Sequence, residues 1–121
     1  VKKFLIDTHQ VVFGSNAQEN SNLVIQYQTL HPNAFWYHLA NRSSSHGFYL
    51  GNESLERTHH NIIGNILLAL SKEHGKFNKM SICQLKYIKT TKTPGLVDIQ
   101  NCKELSIKRI HTFDASEYKI N

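Results

Sequence analysis

The chain has 121 residues, enough for one domain with a single core, and its 40% hydrophobic and 10% aromatic content excludes a disordered chain. No apolar run approaches the roughly 20 residues that span a bilayer, which excludes a membrane helix. The formal net charge is +5: the residues up to Ser71 balance to zero, so the whole excess lies from Lys72 onward. A one-sided basic surplus is an electrostatic footprint for polyanions.

In chain order, Lys2 and Lys3 are followed by no long apolar core, so no signal peptide is expected. The start at Val1 leaves open a removed initiator or a piece of a longer protein. Lys3–Ile6 and Gln10–Phe13 read as a hairpin around Asp7-Thr8-His9. Ala17 to about Gln28 reads as a helix, with Leu23, Tyr27 and Leu30 at helical spacing. Pro32 and Asn33 break the chain. Ala34–Ala40 is apolar on both faces and predicts a central strand, and His46–Leu50 predicts another beyond the polar loop Asn41–Ser45.

Asn52 is expected to cap a helix over roughly Glu53–Glu73, with Leu55, His59, Ile62, Ile63, Ile66, Leu67 and Leu70 as its buried stripe. Glu53 and Glu56 at its start and Lys72 and His74 at its end suit the helix dipole, and Gly75 would end it. Lys79–Thr90 alternates as one strand, placing Cys83, Leu85 and Tyr87 on one side. Leu96–Gln100 and Glu104–Ile110 follow as strands, and the tail from His111 is thin in core residues. These elements predict an α+β fold: a single mixed, mostly antiparallel sheet of six or seven strands packed by two helices. One domain is expected over residues 1–121, with its core at about 3–110. Cys83 and Cys102 fit neither a zinc spacing nor a disulfide framework and read as buried free thiols, favouring a reducing compartment.

Four stretches bear on chemistry. At Gly14-Ser15-Asn16 a glycine precedes a helix start: Asn16 as N-cap with Glu19 three residues on gives reciprocal capping, while the same exposed amides make an anion site. The glycine spacing fits neither a Walker loop nor a dinucleotide fingerprint. In the second stretch, His38 and His46 flank Arg42 and three serines. The histidines read as a proton-transfer pair or as loop-holding groups, and Arg42 with Ser44 and Ser45 as a phosphate contact. His59 and His60 are adjacent on a helix, point about 100° apart and do not converge on a metal. Lys86, Lys89 and Lys92 recur every third residue beside Tyr87 and lead into a Pro94-Gly95 turn. Such lysines neutralise phosphates, an aromatic can stack a base, and glycine accepts the turn's positive φ.

Taken in order, "GSNAQEN", "FWYH…SSSHGFYL", the long helix and "KYIK…PGLV" resemble the NFACT RNA-binding domain from about Phe4 to Ile110. The matching positions are Gly14, Asn16, Ala17 and Asn20, Trp36 and His38, Ser45 and His46, and Lys86, Lys89, Pro94, Gly95 and Val97. The chain departs from the family pattern at Ser15, where arginine is usual, and at Ala34, where aspartate is usual. Ser43 and Ser44 stand where a proline–glycine pair is usual. The resemblance is therefore to the divergent stand-alone members.

It implies binding of structured RNA (tRNA or rRNA), with the large ribosomal subunit as partner and ribosome-associated quality control as context. The domains needed to add peptide tails are not in this chain. The expectation is a cytoplasmic, non-enzymatic RNA-binding module. Its phosphate contacts would come from Gly14, Ser15 and Asn16, from Arg42, Ser44, Ser45 and His46, and from Lys86, Lys89 and Lys92. No catalytic residue, metal or cofactor is expected. The rival expectations are a metal-independent RNA nuclease or phosphodiesterase using His38 and His46, and a protein-binding adaptor of the ribosome.

Overall fold

The computed structural model describes residues 1–72, 75 and 78–120. The hairpin forms from β1 (Lys2–Ile6) and β2 (His9–Phe13), with Ile6 opposite His9 and Asp7 in the left-handed region at φ 55°. After α1 (Ala17–Leu30) come β3 (Phe35–Leu39), β4 (Gly47–Tyr49), α2 (Arg57–Leu70) and β5 (Lys79–Gln84). The chain then forms β6 (Ile88–Thr90), β7 (Val97–Ile99) and β8 (Lys103–Ser106). One sheet of six strands runs β1-β2-β4-β3-β5-β8, every neighbouring pair antiparallel, and β6 and β7 form a separate two-stranded ladder. The fold is α+β, as the sequence predicts.

Strand alternation divides the core between the two faces of the large sheet. Tyr37, Leu39, Tyr49, Phe13 and Met80 pack with Ile63, Ile66 and Leu67 of α2 on one face. Trp36, Phe48 and Cys83, one residue out of phase, pack with Leu23 and Val24 of α1 and with Ile88 on the other. The helices therefore lie on opposite faces of the sheet.

Four expectations are corrected. The helix placed at Glu53–Glu73 begins at Arg57, not after Asn52: Glu56 is the N-cap, and His59 Nδ1 accepts from the Glu56 N–H at 3.0 Å. The described part of α2 ends at Leu70, and Lys72, at φ 52°, takes the left-handed position assigned to Gly75; Glu73 and His74 lie outside the described residues. The strand Lys79–Thr90 is broken by a 3-10 turn at Leu85–Tyr87. There the Leu85 and Lys86 N–H groups donate to Ala34 O and Pro32 O, both at 2.9 Å, which carries the chain out of the sheet and onto α1. Gln28 Nε2 donates to Leu85 O and Ile88 O, both at 2.6 Å, and holds the new direction.

The fourth correction is chemical. Cys83 and Cys102 are not free thiols but disulfide-bonded, with Cα atoms 4.5 Å apart. The β5–β8 register pairs Ile82 with Lys103, and one step further puts Cys83 opposite Cys102. That spacing is the one adopted by non-hydrogen-bonded antiparallel pairs. The sequence argument for a reducing compartment loses its basis.

The tail from His111 contributes more than its composition suggests. Phe113, Ala115 and Tyr118 pack against the α2-side core, and Leu5 N–H donates to Tyr118 O at 2.8 Å. Among the described residues no helix is long and apolar enough to cross a membrane.

Candidate functional site

The start of α1, the Asn41–Ser45 loop and the Thr93–Val97 segment meet around a cleft of about 890 Å³. His46 holds them together. Its backbone O accepts from Gly14 N–H at 3.2 Å, and its backbone N–H donates to Asn20 Oδ1 at 3.4 Å. Trp36 Nε1–H donates to His46 Nδ1 at 3.0 Å, so the ring proton sits on Nε2, which donates to Gly95 O at 3.1 Å. Gly95 N–H in turn donates to the buried Ser21 Oγ at 2.8 Å. Burial, with the neighbouring His38 adding to it, pushes the His46 imidazole down to about 4 against the opposing pull of Gly95 O. It is neutral at physiological pH, with both ring nitrogens engaged.

Gly95 has φ +81°, the turn geometry that Pro94-Gly95 predicts, and a Cβ there would come within 3.0 Å of Ala17 Cβ. Gly14 is needed for a different reason: a side chain at this position would collide with the Asn20 amide.

At the α1 start, Asn16 Oδ1 accepts from Glu19 N–H at 2.9 Å, the cap expected. The return bond differs from the expected box: Glu19 Oε1 accepts from Ser15 N–H at 2.7 Å rather than from Asn16. That bond holds the Glu19 carboxyl below its usual range. The amides of Gly14 and Ser15 thus already have partners, and a carboxylate occupies the place where an anion would sit. Capping accounts for this stretch. Ser15 and Asn16 line the cleft, but Gly14 does not.

Arg42, Ser44 and Ser45 also line the cleft. Ser44 Oγ accepts from Leu39 N–H at 3.0 Å and donates to Ser45 O at 3.0 Å, so it braces the loop. His38 stacks on Trp36, with ring centroids 5.3 Å apart and planes 8° from parallel, and its ring lies 4.9 Å from that of His46. Its Nδ1–H donates to Leu39 O at 2.6 Å, which makes Nε2 the bare acceptor. Burial lowers its pKa.

The lysines do not gather here. Lys86 follows the C-terminal end of α1, its Nζ 5.3 Å from the centroid of the Tyr87 ring. Lys89 is exposed and stands opposite Asp98 in the β6–β7 ladder. Lys92 is exposed beside Thr93, a cleft residue, but none of the three lines the cleft itself. The series therefore runs along α1, from its C-terminal end towards its start.

Sequence reasoning named Asn20 only as a matching family position and missed Ser21; their signal was two small polar residues beside the buried Leu23 and Val24. It also missed Leu96 and Ile99, 57% and 41% exposed, on the cleft wall. His59 donates Nε2–H to Asp7 Oδ2 at 2.8 Å, tying α2 to the hairpin, and His60 Nδ1 lies 3.3 Å from Tyr37 OH. Among the described residues no group of three metal-ligating side chains comes together.

No protein-family model matches the sequence, and the search of curated proteins gives no match. Among solved structures, the fold is similar to the C-terminal part of the fibronectin/fibrinogen-binding protein from Streptococcus suis, with a TM-score of 0.82 at 17% identity. The match covers 98% of this chain and 48% of that one, so this chain spans about half the length of the structure it matches. At that identity the likeness shows the fold alone.

Proposed function

We propose that this chain is a non-enzymatic RNA-binding module of the NFACT RNA-binding type, acting in the cytoplasm on structured RNA such as tRNA or rRNA. The reading includes the large ribosomal subunit as a partner. One observation carries it: the turn that follows the lysine series docks on the start of α1 through Gly95 and Ser21. That contact joins the cationic segment to a cleft lined, among the described residues, by Arg42, serines and asparagines. Such a surface suits a phosphate backbone, which is neutralised by cations and oriented by neutral donors.

Two-histidine RNA cleavage is the weaker alternative. It requires His46 to exchange a proton, and both of its ring nitrogens are held by Trp36 and Gly95. Protein binding is the second reading, favoured by the name of the streptococcal neighbour and by exposed Ile25, Leu30 and Phe35 around the C-terminal end of α1.

An anisotropy titration of labelled tRNA across salt concentrations tests the proposal. The logarithm of affinity should fall by roughly 0.9 per log unit of salt for each duplex phosphate neutralised. A flat response rejects phosphate contact. A protein captured after nuclease treatment, with no RNA bound, favours the second reading.

A further inference from the structure

We propose that the cleft beside β3 receives one unpaired nucleotide, its base laid against the apolar wall of Leu96 and Ile99 and one of its N–H groups donated to His38 Nε2. The proposal rests on the RNA-binding reading above and names the part of the RNA that the cleft would take.

Shape is the first argument. A surface that only tracks phosphates needs no depth, whereas this cleft, at about 890 Å³, falls in the range of about 300–1,000 Å³ that holds a small organic ligand. Bases within a duplex are stacked and paired, so only an unpaired nucleotide can present its ring face and edge to such a cavity.

The chemistry of the lining is the second. Trp36, itself only 1% exposed, lies nearly parallel to His38 and fixes that ring at the cleft. Leu96 and Ile99, both exposed, supply an apolar wall. His38 is fixed as an acceptor because its Nδ1–H is held by Leu39 O, and its Nε2 has no partner among the described residues. Burial lowers its pKa, which keeps that lone pair available at neutral pH. Base edges carry N–H donors that suit it. Arg42 also lines the cleft, so a phosphate attached to the base meets a cation there.

The test compares a fluorescein-labelled RNA hairpin ending blunt with the same hairpin carrying a single 3′ nucleotide overhang. The wild-type protein should bind the overhang about tenfold more tightly, the effect of one hydrogen bond together with its apolar contact. His38→Ala should reduce that preference to the blunt level. His38→Phe, which keeps a flat ring but loses the acceptor, should reduce it as well. Leu96→Ala changes an exposed side chain and should lower the preference severalfold without affecting folding.

Equal binding of the two hairpins by the wild type overturns the nucleotide pocket and leaves phosphate-led RNA binding standing. Binding of neither overturns both readings. A preference that survives His38→Ala and Leu96→Ala in folded protein overturns the assignment to this cleft.

Discussion

Trp36 Nε1–H and His46 Nδ1 are 3.0 Å apart, and that bond decides which histidine nitrogen faces Gly95. Through this one ring β3, β4 and the turn before β7 are joined, and the His46 backbone adds the end of β2 and the start of α1. His46→Ala would leave the indole N–H and the Gly95 carbonyl without their partner in a 1%-exposed setting. The expected loss is about 2–4 kcal/mol, from unsatisfied polar groups and a cavity together. Urea denaturation measures it, and a loss below about 1 kcal/mol would show that the junction does not depend on this ring.

The same ring makes the fold sensitive to acid. Its folded pKa, near 4, lies below the ordinary 6.5, so between those values the unfolded chain binds a proton that the folded one excludes. Stability is therefore complete above about pH 6.5 and falls as the pH drops towards 4, by up to about 3 kcal/mol from this group. Denaturation midpoints measured from pH 7 to 4 should fall, and they should fall less steeply in His46→Gln. Parallel pH profiles for the two proteins would assign the acid sensitivity to other groups.

What the sequence reveals of this junction is its parts. The Asn16 cap, the shared face of Trp36 and His38, and the positive φ of Gly95 follow from local spacing and turn chemistry, which act within a few residues. That His46 meets Gly95 depends on how the Leu85–Tyr87 turn redirects the chain, and a strand pattern running unbroken through Thr90 hides that turn. The Cys83–Cys102 bond was hidden for the same reason. A separation of 19 residues carries no framework spacing, and only strand pairing across the intervening excursion places the two opposite each other.

That disulfide encloses the whole segment carrying Lys86, Lys89, Lys92 and the cleft wall at Thr93–Val97. Closing a loop of this size contributes about 3 kcal/mol, largely by restricting the unfolded chain. Reduction, or replacement of both cysteines by serine, should lower stability by about that amount. Amide exchange should quicken in β6 and β7 more than in β1 and β2, which lie outside the loop. Thiol titration of protein drawn directly from cells reports which state is populated, and full reactivity there would mean that the module works with an open loop.

Gly95→Ala tests whether the docked turn is needed. Alanine is strained at φ +81°, and its Cβ would press on Ala17, so a loss of about 1–3 kcal/mol is expected. On the proposed reading RNA affinity should fall along with the stability, because the turn carries the cleft wall. Unchanged stability would mean that the turn lifts away freely, and the bonds from Gly95 to Ser21 and His46 would then contribute little.

The lysines rank differently in space than in sequence. Composition treats Lys86, Lys89 and Lys92 alike, but Lys86 sits beyond the C-terminal end of α1 against Tyr87, and Lys89 faces Asp98 across a ladder. Lys92 lies next to Thr93 on the rim of the cleft. If RNA seats at the cleft, Lys92→Ala should lower affinity severalfold and reduce the salt slope by about 0.9, the signature of one lost phosphate contact. Lys86→Ala should change both less, with thermal stability unaffected in either variant. The reverse order would move the contact surface to the far end of α1, where Leu30 and Phe35 are exposed. There a partner would meet an apolar patch in place of a polar cleft.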